Sequence, residues 1–169
     1  MRVQLLMAVA LATVLVLGGV AEAQQAPPPA APAPPPPYGA PITLAQAKRV
    51  AAAAAAEARK LGVTEAIAIV EPSGALVYFE RFDGTSYGPL HLAVRKAETA
   101  AQFRRPTQTF EERLAAGAYP LLGLEGALPI GGGVPIVVKG KIIGAIGVAG
   151  GQVSAPDNQV AKAGADAIE

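Results

Sequence analysis

The chain has 169 residues, and 51% of them are apolar, which is enough for one domain with a substantial hydrophobic core. Its 14 basic and 13 acidic residues nearly balance, which argues against a nucleic-acid-binding protein, because such proteins normally carry a basic excess. The lack of cysteine excludes disulfides, cysteine nucleophiles and zinc sites of the cysteine–histidine type.

The amino terminus has the pattern of a signal peptide. Arg2 precedes an apolar run at Leu5–Leu17, and Ala21-Glu22-Ala23 follows as a small-residue cleavage site. A membrane anchor is the alternative, but a spanning helix needs about 20 apolar residues, and this run is shorter. We therefore predict that residues 1–23 are removed and that the mature protein is exported to the periplasm or the medium, without a membrane span.

Residues 24–41 are rich in alanine and proline and are predicted to form a linker. Proline lacks the amide donor that helices and sheets use, so the segment favours an extended polyproline conformation and acts as a spacer. A ligand for an aromatic-groove domain is the alternative. The globular domain is predicted to span residues 42–169.

The domain opens with a clear helix signal. Thr43-x-x-Gln46 is a capping box, and apolar residues at helical spacing continue from it to Gly62, a typical helix stop. The run Ala51–Ala56 suits close packing against a sheet, although it is equally typical of a helix with high intrinsic propensity.

The middle of the chain is predicted to form two strands and then two helices. The apolar runs Ala66–Val70 and Leu76–Glu80 predict the strands. A helix is predicted to begin at Pro89, a residue favoured at the first helical position, and to end before Pro106. A second capping box, at Thr109, opens a short helix.

The carboxy-terminal part predicts three more strands and a last helix. A short strand at Ala127–Ile130 precedes a β-hairpin, in which Val134–Val138 and Ile142–Val148 flank Lys139-Gly140-Lys141. Residues 154–157 are predicted to cap the final helix.

The element order is helix, two strands, two helices, three strands and helix. Strands joined by short turns are antiparallel, so we predict a single α+β domain with an antiparallel sheet of about five strands flanked by helices. The hairpin strands are apolar at consecutive positions, which indicates burial on both faces or an oligomer contact. The glycines around them allow sharp turns or the close approach of another backbone.

Four motifs together resemble those of a known family. They are the glycine-bracketed hairpin at 128–151, Glu71-Pro-Ser-Gly74, Lys96-Ala-Glu-Thr-Ala-Ala-Gln-Phe103 and Arg105-Pro-Thr107. They are similar to the haem-binding GlcG/HbpS-like proteins, a group that includes the carboxy-terminal domain of PduO-type proteins, and the resemblance runs from about residue 42 to residue 168. It implies an antiparallel sheet flanked by helices, subunits assembled in a homo-oligomer, and haem as the cofactor.

His91, the only histidine of the chain, is the candidate ligand of a haem iron. It lies in the first turn of the second predicted helix, where the helix dipole favours the neutral imidazole that ligates iron. An ordinary surface histidine is the alternative. Tyr87 lies close by in sequence, and its phenolate is a second candidate for ferric haem, with packing as its alternative.

Further haem contacts are predicted in the same helix. A threonine ligand is part of the family pattern, and Thr99 is the candidate here; a hydroxyl bonded to its own helix backbone is the alternative. Lys96, Arg95, Arg104 and Arg105 are candidates for pairing with haem propionates, or else they form a solvated helix face.

Three functions stay open at this stage. The first is an exported haem-binding protein that sequesters or degrades haem. The second is a module for another small molecule, with the glycine-rich hairpin and the 85–107 helix as pocket walls, and the third is a structural subunit held by the proline spacer. The sequence shows no acid–base pair or catalytic triad, so no catalytic residue is assigned and enzymatic turnover is left undecided.

Overall fold

The computed structural model describes residues 33–151 and 153–168; the predicted signal peptide and the linker up to residue 32 lie outside the described residues. The helices and strands, in chain order, are α1 (Leu44–Leu61), β1 (Ala66–Val70), β2 (Leu76–Arg81), α2 (Gly88–Phe103), α3 (Gln108–Ala115), a 3₁₀ helix (Tyr119–Gly123), β3 (Gly133–Val138), β4 (Lys141–Ala149) and α4 (Ser154–Ala165). The predicted α+β class is confirmed, with one antiparallel sheet in the order β2-β1-β4-β3. Within the described ranges, every helix is too short or too polar to cross a bilayer.

Helices cover both faces of this sheet. α1 and α4 pack on one face against isoleucines and valines, whereas α2 packs on the other face, where the buried side chains are nearly all alanine. Along β1, Ile67 and Ile69 point towards α1 and α4, and Ala66, Ala68 and Val70 point towards α2. The period-two alternation of a strand therefore separates large from small side chains.

Burial on both faces is confirmed for one strand of the predicted hairpin. Every residue from Ile142 to Ala149 is buried, because β4 lies between β1 and β3. β3 is the edge strand, and its Val137 is 37% exposed. The turn is also as predicted, since Lys139 and Gly140 have φ angles of 48° and 73°, the positive values that a type I′ hairpin turn requires.

Glycines in the hairpin let α2 lie against the sheet backbone. A Cβ on Gly147 would overlap the carbonyl oxygen of Ala93, and a Cβ on Gly133 would overlap that of Lys96. Any larger residue at these positions would push the helix away from the sheet. The close backbone approach predicted for the glycines is confirmed, and α2 is the element that approaches.

The predicted count of five strands is wrong by one. Residues 127–130 form a loop, in which the Leu128 amide donates to Thr99 Oγ1 at 3.0 Å and the Ile130 amide donates to the Leu128 carbonyl at 2.9 Å. Pro129 has no amide to donate, so a sheet hydrogen bond would be missing at the centre of this segment. The backbone amides of this segment donate instead to Thr99 of α2 and to a carbonyl within a local turn.

Of the three predicted helix caps, only the first is confirmed. Thr43 and Gln46 form the full capping box at the start of α1. Thr109 lies inside α3 and caps nothing. α4 begins without a side-chain cap, because the Ser154 hydroxyl donates to the Glu111 carboxylate at 2.8 Å. Ser154, a predicted cap residue, therefore binds a side chain distant in sequence instead of the helix backbone.

The stretch before α1 lies along β4. The Gly39 amide donates to the Ile142 carbonyl at 2.7 Å. The Tyr38 hydroxyl donates to the Ala101 carbonyl in α2 at 2.9 Å. The last residues of the proline-rich segment therefore contact the sheet, and the compact unit begins at Pro34.

Candidate functional site

Tyr87, His91 and Arg95 form a row along the exposed face of α2. Their spacing of four residues places them on one side of the helix, with about 5–6 Å between neighbouring Cβ atoms. The helix begins here because Pro89 occupies one of its first positions, where the missing amide costs no hydrogen bond. All three side chains are exposed, Tyr87 to 76%. This α2 row contains two of the three predicted iron ligands and one predicted propionate partner.

The neighbouring strand adds residues that the sequence did not single out. The Arg81 guanidinium lies 4.8 Å from the centre of the Tyr87 ring, and it donates to the Thr85 carbonyl at 2.8 Å. Phe79 lies on the same sheet face as Arg81, because both pair with alanines of β1 that face α2. The period of the strand shows that Phe79 and Arg81 share a face, but only the fold shows that Arg81 lies against Tyr87, at the start of the α2 row.

Thr99 is buried, and backbone groups engage its hydroxyl. Oγ1 lies 2.8 Å from the Arg95 carbonyl and 3.2 Å from the Gly126 carbonyl, and it accepts from the Leu128 amide at 3.0 Å. This is the backbone-bonded arrangement that was the alternative for Thr99. Its role as an iron ligand stays a prediction, and that role requires residues 126–128 to move away from α2.

Lys96 points into the protein and not along the α2 row. Its ammonium donates to Asp157 Oδ2 at 2.6 Å and to the Val148 carbonyl at 2.9 Å, and the residue is 1% exposed. Lys96 follows Arg95 directly, so its side chain leaves the helix about 100° further round. Pairing with a propionate would leave Asp157 buried without its partner, which makes this predicted contact unfavourable in the observed fold.

Arg104 and Arg105 lie at the other end of α2. The Arg104 guanidinium lies 5.6 Å from the centre of the Tyr38 ring, and that of Arg105 lies 5.9 Å from the centre of the Phe110 ring. At 1.5 Å per residue, Arg104 is roughly 20 Å along the helix from His91. The structure therefore does not bring these two arginines to the α2 row.

A groove of about 580 Å³ lies between the edge strand β3 and α4. Its walls are largely apolar, and the Lys162–Asp166 ion pair, at 2.5 Å, lies among the lining residues. A smaller hollow of about 320 Å³ is lined by charged residues, including Arg81. Neither surface includes a residue of the α2 row.

Metal binding by protein side chains alone finds no support in the fold. Across residues 33–151 and 153–168, no three histidine, aspartate or glutamate side chains are placed to hold a metal ion together. A haem iron takes most of its ligands from the porphyrin, so one imidazole such as His91 is enough to hold it. The exposed imidazole, phenol and guanidinium of the α2 row are a donor set that fits haem.

Comparison with known proteins matches the chain to one family. Residues 42–166 match the family described as haem degrading protein HbpS-like. GlcG of Escherichia coli K12 is 38% identical over 102 residues, which cover 60% of this chain and 76% of GlcG. An uncharacterized 15.0 kDa protein from the dhaT-dhaS intergenic region of Citrobacter freundii is 33% identical over 118 residues, covering 68% of this chain and 83% of that protein.

Solved structures share the fold. A double mutant of HbpS from Streptomyces reticuli superposes with a TM-score of 0.71 at 35% identity, covering 85% of this chain and 98% of HbpS. PduOC, solved as a complex with haem, superposes with a TM-score of 0.68 at 22% identity, covering 76% of this chain and 96% of PduOC. The family match includes nearly all of the globular domain, and the chain therefore belongs to the HbpS-like family, as its motifs predicted.

Proposed function

We propose that this protein binds haem on the α2 row, with His91 as the iron ligand and Tyr87 as the alternative ligand beside it. The row itself carries the proposal: it aligns an imidazole, a phenol and a guanidinium on one exposed helix face, in a member of a family described as haem-degrading. When bound, haem supplies a redox-active iron, and its propionates are anions that Arg95 can pair with.

The residues around the row suit a flat, partly apolar ligand. Stacking by Arg81 limits the motion of the Tyr87 ring, and Phe79, 36% exposed, offers an apolar surface on the same side of the sheet. The imidazole of His91 lies in the first turn of α2, on the same side of the helix as Tyr87. These residues orient the ligand and exclude water from one of its sides.

One subunit leaves the other side of such a ligand uncovered. Ligand sites normally bury about 70–90% of their ligand, whereas the α2 row is open to solvent. We therefore propose that the protein is a homo-oligomer in which a second subunit covers the haem. Light scattering at micromolar concentration, with and without hemin, should give several times the monomer mass, and a monodisperse monomer in both samples would contradict it.

Hemin titration of row variants tests the site. His91→Ala should abolish or shift the Soret band of bound haem and weaken binding at least about tenfold, since it removes the iron ligand. Tyr87→Phe should leave the spectrum largely unchanged if His91 is the ligand, and should remove the band if Tyr87 is. Tyr119→Phe, another exposed tyrosine outside the row, is the control. If the His91 and Tyr87 variants both keep the wild-type spectrum and affinity, the proposed site is wrong.

Sequestration and degradation differ in what happens to the bound haem. A Soret band that persists under air with a chemical reductant supports sequestration. A band that decays faster than that of free hemin, with release of iron, supports degradation. The same assay on His91→Ala shows whether the outcome depends on the α2 row.

A second candidate function rests on the groove between β3 and α4. Its volume lies within the range of about 300–1,000 Å³ typical of small-molecule sites, and its walls are largely apolar. A compound that raises the thermal stability of the protein by binding there should lose its effect in Val137→Glu. Hemin binding by that variant should be unchanged, because Val137 lies on β3 and the α2 row does not contact the groove.

We further propose that the protein is exported and that its signal peptide is cut between Ala23 and Gln24. The basic, apolar and small-residue order of the first 23 residues supports this. Amino-terminal sequencing of protein from the periplasm or medium should begin at Gln24. An intact Met1 on membrane-retained protein would contradict export.

A further inference from the structure

Glu65, directly before β1, is a buried carboxyl without a hydrogen-bond partner. Its relative exposure is 0%, and neither carboxyl oxygen has a partner among the described residues. An ionised carboxylate in such a place would lose its hydration with nothing to replace it. The fold therefore either holds an unfavourable charge at Glu65 or keeps this carboxyl neutral.

The nearest charged groups come from two helices on opposite faces of the sheet. Asp157, in the first turn of α4, accepts from the Lys96 ammonium of α2 at 2.6 Å through Oδ2. Its other oxygen, Oδ1, is buried and has no partner in the described part of the chain. The two carboxyl groups face adjacent glycines, Glu65 at Gly150 and Asp157 at Gly151. With all three groups ionised, the cluster would carry a net charge of −1.

Backbone encloses this cluster tightly. A Cβ on Gly150 would overlap Glu65 Oε2, and a Cβ on Gly132 would lie 2.9 Å from the Lys96 Nζ. The Lys96 ammonium is already held by Asp157 and by the Val148 carbonyl, at 2.9 Å. With backbone this close, a proton is the cation that the cluster can take up without a change in the packing.

We propose that Glu65, Asp157 and Lys96 form a buried proton-binding site, in which neutral Glu65 donates its proton to Asp157 Oδ1. One proton gives both orphaned carboxyl groups a partner and leaves the Lys96–Asp157 ion pair intact. The cluster then has no net charge, which suits its complete burial. Burial, together with the negative charge of Asp157, raises the pKa of Glu65 from 4.5 to about 7, against the opposing effect of Lys96.

This site links the stability of the fold to pH. Below about pH 4.5 the Glu65 carboxyl is protonated in both the folded and the unfolded chain, and its contribution to stability is fully present. As the pH rises, the unfolded chain releases this proton first, so the folded state loses stability until about pH 7. The loss acts where β1, α2 and α4 meet, because each of them borders or supplies the cluster.

Unfolding measurements on Glu65→Gln test the proposal. The glutamine amide is neutral at every pH and can donate to Asp157 as the protonated carboxyl does. Between about pH 5 and pH 8, the unfolding equilibrium constant of the wild type should rise on the order of 50- to 100-fold more than that of Glu65→Gln. Glu125→Gln, which removes the same charge at an exposed site, should follow the wild type. Equal pH dependence in the wild type and Glu65→Gln would overturn the proposal.

Infrared spectroscopy gives a second test, made on the wild-type protein with Glu65→Gln as the control. The wild-type protein at about pH 6 should show the carbonyl band of a protonated carboxylic acid, and this band should disappear by about pH 9. A folded Glu65→Gln protein should lack it at both values. If the wild type shows no such band at pH 6, Glu65 is ionised and the proton site does not exist.

Discussion

The two faces of the sheet are packed in different ways. On the face covered by α1 and α4, isoleucine and valine side chains fill the space between the layers. On the face covered by α2, alanines leave so little space that the helix backbone meets the strands at Gly133 and Gly147. Aliphatic side chains can change rotamer when a neighbouring helix shifts, whereas two backbones in contact cannot adjust in this way. The position of α2 is therefore set more rigidly than that of α1 or α4.

This difference explains how one helix, α2, can carry both a buried lysine and an exposed row of ligand residues. Alanine burial gives α2 little apolar area, and the buried Lys96–Asp157 pair ties it to α4 at the other face. The exposed side of the same helix carries Tyr87, His91 and Arg95. Binding groups work best on an element that does not shift, so the tightly held helix suits the proposed haem site.

The largest expected effect on stability comes from removing the buried Lys96–Asp157 ion pair, which joins α2 on one face of the sheet to α4 on the other. Lys96→Met should lower the free energy of unfolding by about 3–5 kcal/mol, because it leaves Asp157 buried without its cation. Urea unfolding measures this. Lys162→Met breaks an exposed ion pair with Asp166 and should change stability by about 1 kcal/mol or less. Similar losses in the two variants would mean that the buried pair does not hold α2 in place.

A smaller effect compares the two packing modes directly. Gly147→Ala places a methyl group against the Ala93 carbonyl and should cost about 2–3 kcal/mol, since α2 must move. Ile146→Val, one residue away and pointing to the other face, should cost about 1 kcal/mol. Gly123→Ala, which meets no atom, should be near neutral. A Gly147 variant as stable as the Gly123 variant would remove the argument for a rigid α2.

Features encoded by neighbouring residues were predictable from the sequence. The Thr43 capping box depends on four residues, and the hairpin turn depends on Lys139 and Gly140. The burial of β4 followed from its unbroken apolar run. Tyr87 and His91 lie on one side of α2 because one helical turn separates them, and their role as iron ligands stays a prediction.

Features that depend on distant partners were not predictable. Residues 127–130 have the pattern of a strand. The Leu128 amide, however, donates to the hydroxyl of Thr99, which lies 29 residues earlier in the chain. Asp157 has the pattern of a helix-cap residue, but its carboxylate accepts from the ammonium of Lys96, 61 residues away in the chain. Glu65 gives no sequence signal of its burial, since one carboxylate before an apolar run usually marks a strand end. These contacts arise from the layering of helices on the sheet, which no local pattern contains.

The smallest effect separates the two roles of α2, as a packed helix and as a ligand surface. Arg95→Gln should leave the free energy of unfolding unchanged within about 0.5 kcal/mol. Arg95 is exposed, and its one ion pair is weak, because its Nε lies 3.9 Å from Glu98 Oε2 near the surface. Hemin affinity should fall about two- to fivefold, the contribution of one exposed ion pair with a propionate, and the difference should shrink in high salt. Arg49→Gln, an exposed arginine of α1 on the opposite face of the sheet, should change neither property. Equal hemin affinity for the Arg95 and Arg49 variants at low salt would show that the propionates do not reach the α2 row, even if His91 binds the iron.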